Sequence, residues 1–153
     1  MEHRFGDAPL LYGEVDMLTI TKSVRFDAAH VLTNHKGLCR NLHGHTYRVD
    51  VSVRQAEGDR ADMVMDFKDV KRICEETVLS KFDHAFIYDE TSEAESEIAA
   101  VVAKHGMRAV ALPFRSTAEN LAEWMFNVLK GPIAGLQSVR VYETADSFAE
   151  YSV

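Results

Sequence analysis

Two histidines separated by one glycine, His43-Gly44-His45, lead a segment of alternating apolar residues. Residues two apart on a β-strand project to the same side with α-carbons roughly 7 Å apart, so both imidazoles can reach one cation. His30 ends the preceding apolar stretch on its inward face. It would supply a third nitrogen, giving the three-histidine donor set of a catalytic zinc with one open position. Gly44, between the two ligands, lets another segment or a substrate approach the backbone closely. Cys39 precedes His43 by four positions and has two readings. As a fourth ligand it would close a Cys-His-His-His structural site; as a thiolate it would be a base beside an open metal. The open reading asks for a partner that tunes the thiol. Asp83-His84 is such a pair in principle, a carboxylate orienting an imidazole whose cationic form stabilises a thiolate. His3, His35 and His105 read as tail, loop and helix-end residues, and Cys74 as core.

The elements around these residues follow from apolar period. Leu18, Ile20, Val24, Phe26 and Ala28 alternate on one face of a strand ending at His30. His43, His45, Tyr47, Val49, Val51 and Val53 share one face of a second, and the two form a long antiparallel hairpin. After Gly58 the period changes, and Phe67, Val70, Ile73, Cys74 and Val78 make the stripe of a helix with Asp66 as N-cap. A second helix is expected from about Ser92 to His105, closed by Gly106, followed by a short strand, Met107 to Leu112. Ser116 opens a capping box with Glu119 at its third helical position, ahead of the stripe Leu121, Trp124, Met125, Val128 and Leu129, and Gly131-Pro132 ends that helix. Val139, Val141 and Glu143 share a face of the last strand. The expectation is an α+β domain over 1–153, with a core from 18 to 145 and a four-stranded antiparallel sheet carrying helices on one face.

Composition excludes several classes of function. The 153 residues carry 24 acidic and 17 basic side chains, a formal charge of -7, so no broad cationic surface is offered to nucleic acid. The longest aliphatic run, Ile98 to Ala103, is far short of the roughly 20 apolar residues of a membrane span. Glu2, Asp7, Glu14 and Asp16 interrupt any signal-peptide pattern, and two cysteines make no disulfide framework, so the expected compartment is the cytoplasm.

Six segments in order, Phe26-Asp27-Ala28-Ala29-His30, Cys39-Arg40-Asn41-Leu42-His43-Gly44-His45, Met65-Asp66-Phe67, Asp83-His84, Ser116-Thr117-Ala118-Glu119-Asn120 and Tyr142-Glu143-Thr144, resemble the 6-pyruvoyltetrahydropterin synthase family. The spacing of Cys39 from His43-Gly44-His45 resembles the branch that makes 6-carboxytetrahydropterin for queuosine biosynthesis. The resemblance implies a tunnelling fold whose sheets join into a barrel in trimers, two of which stack as a hexamer, with active sites between subunits. It implies His30, His43 and His45 as Zn2+ ligands, Cys39 as the catalytic thiol, Asp83 and His84 as the rest of the proton relay, and Glu143 as the carboxylate holding the pterin ring. Ser116, Thr117 and Glu119 fall in the segment that helps bind the pterin from a neighbouring subunit. The implied reaction turns 7,8-dihydroneopterin triphosphate into 6-carboxytetrahydropterin, acetaldehyde and triphosphate without a redox cofactor. For Glu119 the capping box is a sufficient account by itself, and a strand end reaching solvent would serve for Glu143. The stretch from Thr91 to Leu112 is longer than usual in that family. Two rival functions are a pyruvoyl-type synthase that eliminates triphosphate without cleaving a carbon-carbon bond, and a non-catalytic zinc-stabilised binding protein with Cys39 as fourth ligand.

Overall fold

The computed structural model describes residues 17–58 and 62–153; His3 lies outside them. Strands β1 (Thr19–His30) and β2 (His43–Arg54) pair antiparallel along their whole length, from Thr19 opposite Arg54 to His30 opposite His43. Alternation assigns their faces: Val24, Phe26, Ala28 and His30 are buried with Tyr47, Val49, Val51 and Val53, while Ser23, Arg25, Asp27 and Thr46 are exposed. At Gly44 a β-carbon would stand 3.1 Å from the Ala28 carbonyl oxygen, so any other residue there would push the two backbones apart by a few tenths of an ångström.

Helix α1 (Phe67–Cys74) starts where the Asp66 side chain accepts from the Lys68 amide, and it buries Val70, Ile73 and Cys74. A π-helical turn (Glu75–Leu79) and α2 (Ser80–Phe82) prolong it. Then come β3 (Ala85–Asp89), α3 (Glu93–Lys104), β4 (Ala109–Leu112), α4 (Ala118–Leu129), β5 (Leu136–Tyr142) and β6 (Phe148–Ser152). The strand order is β4-β3-β1-β2-β5-β6. Leu121, Met125 and Leu129 of α4 enter the main core with Phe26, Val49 and Val141, each side chain contributing about 1.5–3 kcal/mol.

The α+β class stands, and four details of the expected sheet are corrected. It has six strands rather than four, and it is mixed: β3 runs parallel to β1 and β4 parallel to β3. Ala-Phe-Ile-Tyr-Asp shows no period of two because β3, between two parallel neighbours, is covered on both faces. Ile87 faces the main core while Phe86 packs with Ala99, Ile98 and Val102 of α3, so α3 covers the face opposite α1 and α4. The sheet also continues past 145, because β6 pairs with β5.

Two contacts fix the segments that flank the hairpin. The Glu95 carboxylate, 1% exposed, accepts from the Asp89 amide at 2.8 Å and the Thr33 hydroxyl at 3.1 Å, tying α3 to the loop after β1. Gly135 adopts φ +77°, accepts from the Arg54 amide at 2.8 Å, and leaves no room for a β-carbon, which would lie 2.5 Å from the Arg54 carbonyl oxygen. Gly135→Ala is therefore expected to cost about 3 kcal/mol in chemical denaturation. Gly106→Ala, at φ +74° in open space, is expected to cost about 1 kcal/mol; equal losses at the two positions would contradict the steric account.

Candidate active site

The register of the hairpin sets His43 opposite His30, with His45 two residues further along the same face. The His30 Nδ1 donates to the Ser116 carbonyl at 2.9 Å and the His43 Nδ1 to the Asn41 carbonyl at 2.7 Å. A carbonyl only accepts, so both rings carry their proton on Nδ1 and a lone pair on Nε2. Those two Nε2 atoms face each other at 3.0 Å with no proton to share. His45 bonds the backbone of Glu143, and its Nε2 is buried without a hydrogen-bond partner. Ligand atoms of the three rings all lie within 4.8 Å of one another. Three converging neutral imidazole lone pairs repel one another and suit a borderline-soft divalent cation such as zinc. Among the described residues Cys39 is not part of this group, so the closed four-donor site is not formed.

Burial holds the His30 imidazole down to about 4, against the Ser116 hydrogen bond that favours its charged form and alongside the neighbouring His43 and His45. Its folded value lies below the ordinary 6.5, so the unfolded chain binds the proton first as pH falls. Chelator-treated protein is expected to lose roughly 3 kcal/mol from this group between about pH 6.5 and pH 4. Urea titrations of the parent and His30→Gln proteins across that range check it: the parent should lose more stability than the variant. Parallel slopes would show that His30 is not buried as the neutral ring.

Cys39 lies in the short 3-10 turn Leu38–Arg40, and its carbonyl accepts from the Leu32 amide at 2.9 Å. It lines a cleft of about 420 Å³ with Arg115, Thr117, Glu119 and Glu143. A Glu143 carboxylate oxygen is 4.0 Å from the His30 Nε2, so this acid borders both the cleft and the imidazole cluster. Burial, then the nearby Glu119 carboxylate, raises the Glu143 pKa, and His43 opposes them. Thr117, not Ser116, caps α4, accepting from the Asn120 amide at 3.3 Å, so Asn120 takes the third helical position. The capping box expected for Ser116 and Glu119 is thus displaced by one residue. Ser116 is buried and holds His30 instead, and Glu119 borders the cleft.

Asp83 and His84 are elsewhere. The Asp83 carboxylate accepts from the Asp27 amide at 3.0 Å and contacts the His84 Nδ1 at 2.9 Å, while the Thr46 hydroxyl donates to Asp27 at 2.5 Å. The Asp27 amide hydrogen bond, followed by His84 and Arg108, lowers the Asp83 pKa. Asp27, Thr46 and His84 line a larger groove of about 760 Å³, shared with Leu42, Phe86 and Met107. Asp27 and Thr46 occupy the strand face opposite the three histidines, and Cys39 is not among the residues lining that groove. Asp27, Asp83 and His84 also bring ligand atoms within 4.8 Å, but they are largely exposed and bonded to one another.

A sequence profile for 6-pyruvoyl tetrahydropterin synthase matches residues 19–153. The chain belongs to the 6-pyruvoyl tetrahydropterin synthase family. A protein of Haemophilus influenzae named 6-carboxy-5,6,7,8-tetrahydropterin synthase is 44% identical to it, covering 88% of this chain and 99% of that one. Its namesake in Aquifex aeolicus is 35% identical, covering 86% and 96%. In fold, 6-pyruvoyl tetrahydropterin synthase of Caenorhabditis elegans aligns with a TM-score of 0.64 at 26% identity, covering 91% of this chain and 97% of that one.

Within this member of the 6-pyruvoyl tetrahydropterin synthase family, one protomer brings together His30, His43 and His45, and beside them Cys39, Thr117, Glu119 and Glu143. His84 and Cys39 line different concavities, and His45 borders the one that holds His84. Arg115 also lines the cleft, and sequence reasoning assigned it no role. Its position directly ahead of Ser116-Thr117 was the available signal.

Proposed function

We propose that this chain is a zinc-dependent 6-carboxy-5,6,7,8-tetrahydropterin synthase acting on 7,8-dihydroneopterin triphosphate, with acetaldehyde and triphosphate as co-products, in queuosine or another deazapurine pathway of the cytoplasm. The observation that carries it is the cluster of unpartnered imidazole lone pairs at the wall of a cleft that also holds a thiol and a half-buried carboxylate. Names of relatives up to 44% identical, and the Cys39 to His43 spacing, favour the carboxy product over the pyruvoyl one.

His30, His43 and His45 would hold zinc, which when bound acidifies side-chain hydroxyls and stabilises negative charge developing on oxygen. The chain's own groups do the rest. Glu143 accepts two parallel hydrogen bonds from the pterin amino group and ring N–H, the pattern a carboxylate makes with a guanidinium. Thr117 and Glu119 border the same cleft and orient the ring. Cys39, as thiolate, takes a proton from the substrate side chain, and His84, oriented by Asp83, moves protons on and off carbon. His84 and Cys39 line different concavities of one protomer, which supports a site whose His84 comes from a second copy. Edge strands β4 and β6 are where copies would continue the sheet into a barrel, in the hexamer built of two trimers. Residues 1–153 act as one domain with no nucleic-acid or membrane partner.

The test is anaerobic incubation of zinc-loaded protein with 7,8-dihydroneopterin triphosphate and product identification by mass spectrometry. 6-Carboxytetrahydropterin with acetaldehyde is the expected result. A 6-pyruvoyl product would move the chain to the sister activity, and intact substrate would overturn the proposal.

A further inference from the structure

The connection from α3 into β4 meets the Asp83-His84 turn at one side chain. The Arg108 guanidinium donates through Nη1 to the Asp83 carbonyl at 2.7 Å and through Nη2 to the Ser80 and Lys81 carbonyls at 2.8 and 3.1 Å. These are carbonyls that the end of α2 leaves without helical donors. The backbone of the same residue is fixed, since its carbonyl accepts from the Phe86 amide at 2.9 Å, immediately beyond the turn. On the other side the His84 amide donates to the Asp27 carbonyl at 2.6 Å. Between these anchors His84 adopts φ +58°, a left-handed conformation that a side-chain-bearing residue holds only when its surroundings impose it. The imidazole, 75% exposed, projects towards the groove with its Nδ1 on the Asp83 carboxylate.

We infer that Arg108 is the positioning residue of the Asp83-His84 pair, locking the strained turn that presents the His84 imidazole for proton transfer. This rests on the relay role of His84 proposed above. Arg108 is itself exposed, and its guanidinium bonds only carbonyls of the turn and the helix end before it, so its loss is expected to act on the turn rather than on the fold. It also gives part of the long 91–112 segment a task, because that segment delivers the guanidinium beneath the turn.

The test compares steady-state kinetics of zinc-loaded Arg108→Ala, Arg108→Lys and His84→Ala proteins, with and without added guanidinium ion at tens of millimolar. Displacing a proton-transfer group by about 1 Å costs up to roughly 100-fold, so Arg108→Ala is expected to lose at least about tenfold in kcat. Its KM, zinc content and oligomer size should be unchanged, and guanidinium should restore part of the rate. Arg108→Lys, keeping a cation with fewer donors in a different geometry, should fall between the two and serves as the folded variant if the alanine protein is insoluble. His84→Ala should be inactive and not rescued. Full turnover in His84→Ala would overturn the relay reading and this inference with it. An inactive His84→Ala beside an Arg108→Ala of unchanged kcat would overturn the inference alone, as would a loss accompanied by a lower melting temperature and no rescue.

Discussion

Cys39→Ala is expected to lower turnover on the order of 1,000-fold while the protein keeps one zinc per chain. The thiol is on the 3-10 turn that leads into β2, and it faces the cleft with Glu143 and Thr117 rather than joining the imidazole group. Its removal should therefore delete a proton acceptor and leave the donor set complete. KM should change little, because Glu143, Thr117 and Glu119 still border the cleft, and an interaction made only in the transition state appears in kcat. Metal analysis and kinetics on the same sample check this. Loss of zinc together with turnover would make Cys39 a ligand after all.

His43→Ala is expected to do the reverse, removing the metal first and activity as a consequence. Its Nε2 stands 3.0 Å from that of His30, and its Nδ1 is held by the Asn41 carbonyl, so truncation removes one of three donors already aimed at a common point. A metal that binds only the folded chain stabilises it by about 4 kcal/mol when present at 1,000 times its dissociation constant. A chelator should thus lower the melting temperature of the parent protein and leave that of His43→Ala unmoved. A metal-dependent shift that survives in the variant would place the ion elsewhere.

The hairpin and its histidines are legible in the sequence because a period of two, running to His30 with one break at Lys22 and again from His43 to Val53, fixes which side chains share a face, and register does the rest. Asp66 is legible as a cap because its role is equally local, a short acidic side chain ahead of a helical stripe. What is hidden is non-local. β3 carries no alternation because α3 covers one of its faces and the main core the other, so a short apolar run gives no hint of a parallel strand beside β1. The cap of α4 shifts from Ser116 to Thr117 because the Ser116 carbonyl is engaged by His30, a residue from the far end of β1. Glu95, on the face of an ordinary acidic first turn, is buried only because Thr33 and Asp89 close over it. The separation of His84 from Cys39 into different concavities arises only in the folded chain, and no spacing in the sequence encodes it.

That separation is central to the proposed function, in which one copy's thiol and another copy's imidazole share each working site. The direct measurement mixes Cys39→Ala and His84→Ala proteins, each inactive alone, under conditions that let subunits exchange. In a random assembly about one site in four combines an intact Cys39 with an intact His84 from its neighbour, so about a quarter of the parent activity should return. A mixture as inactive as its components, with exchange demonstrated by mass, would mean that both groups act within a single chain and would contradict the account.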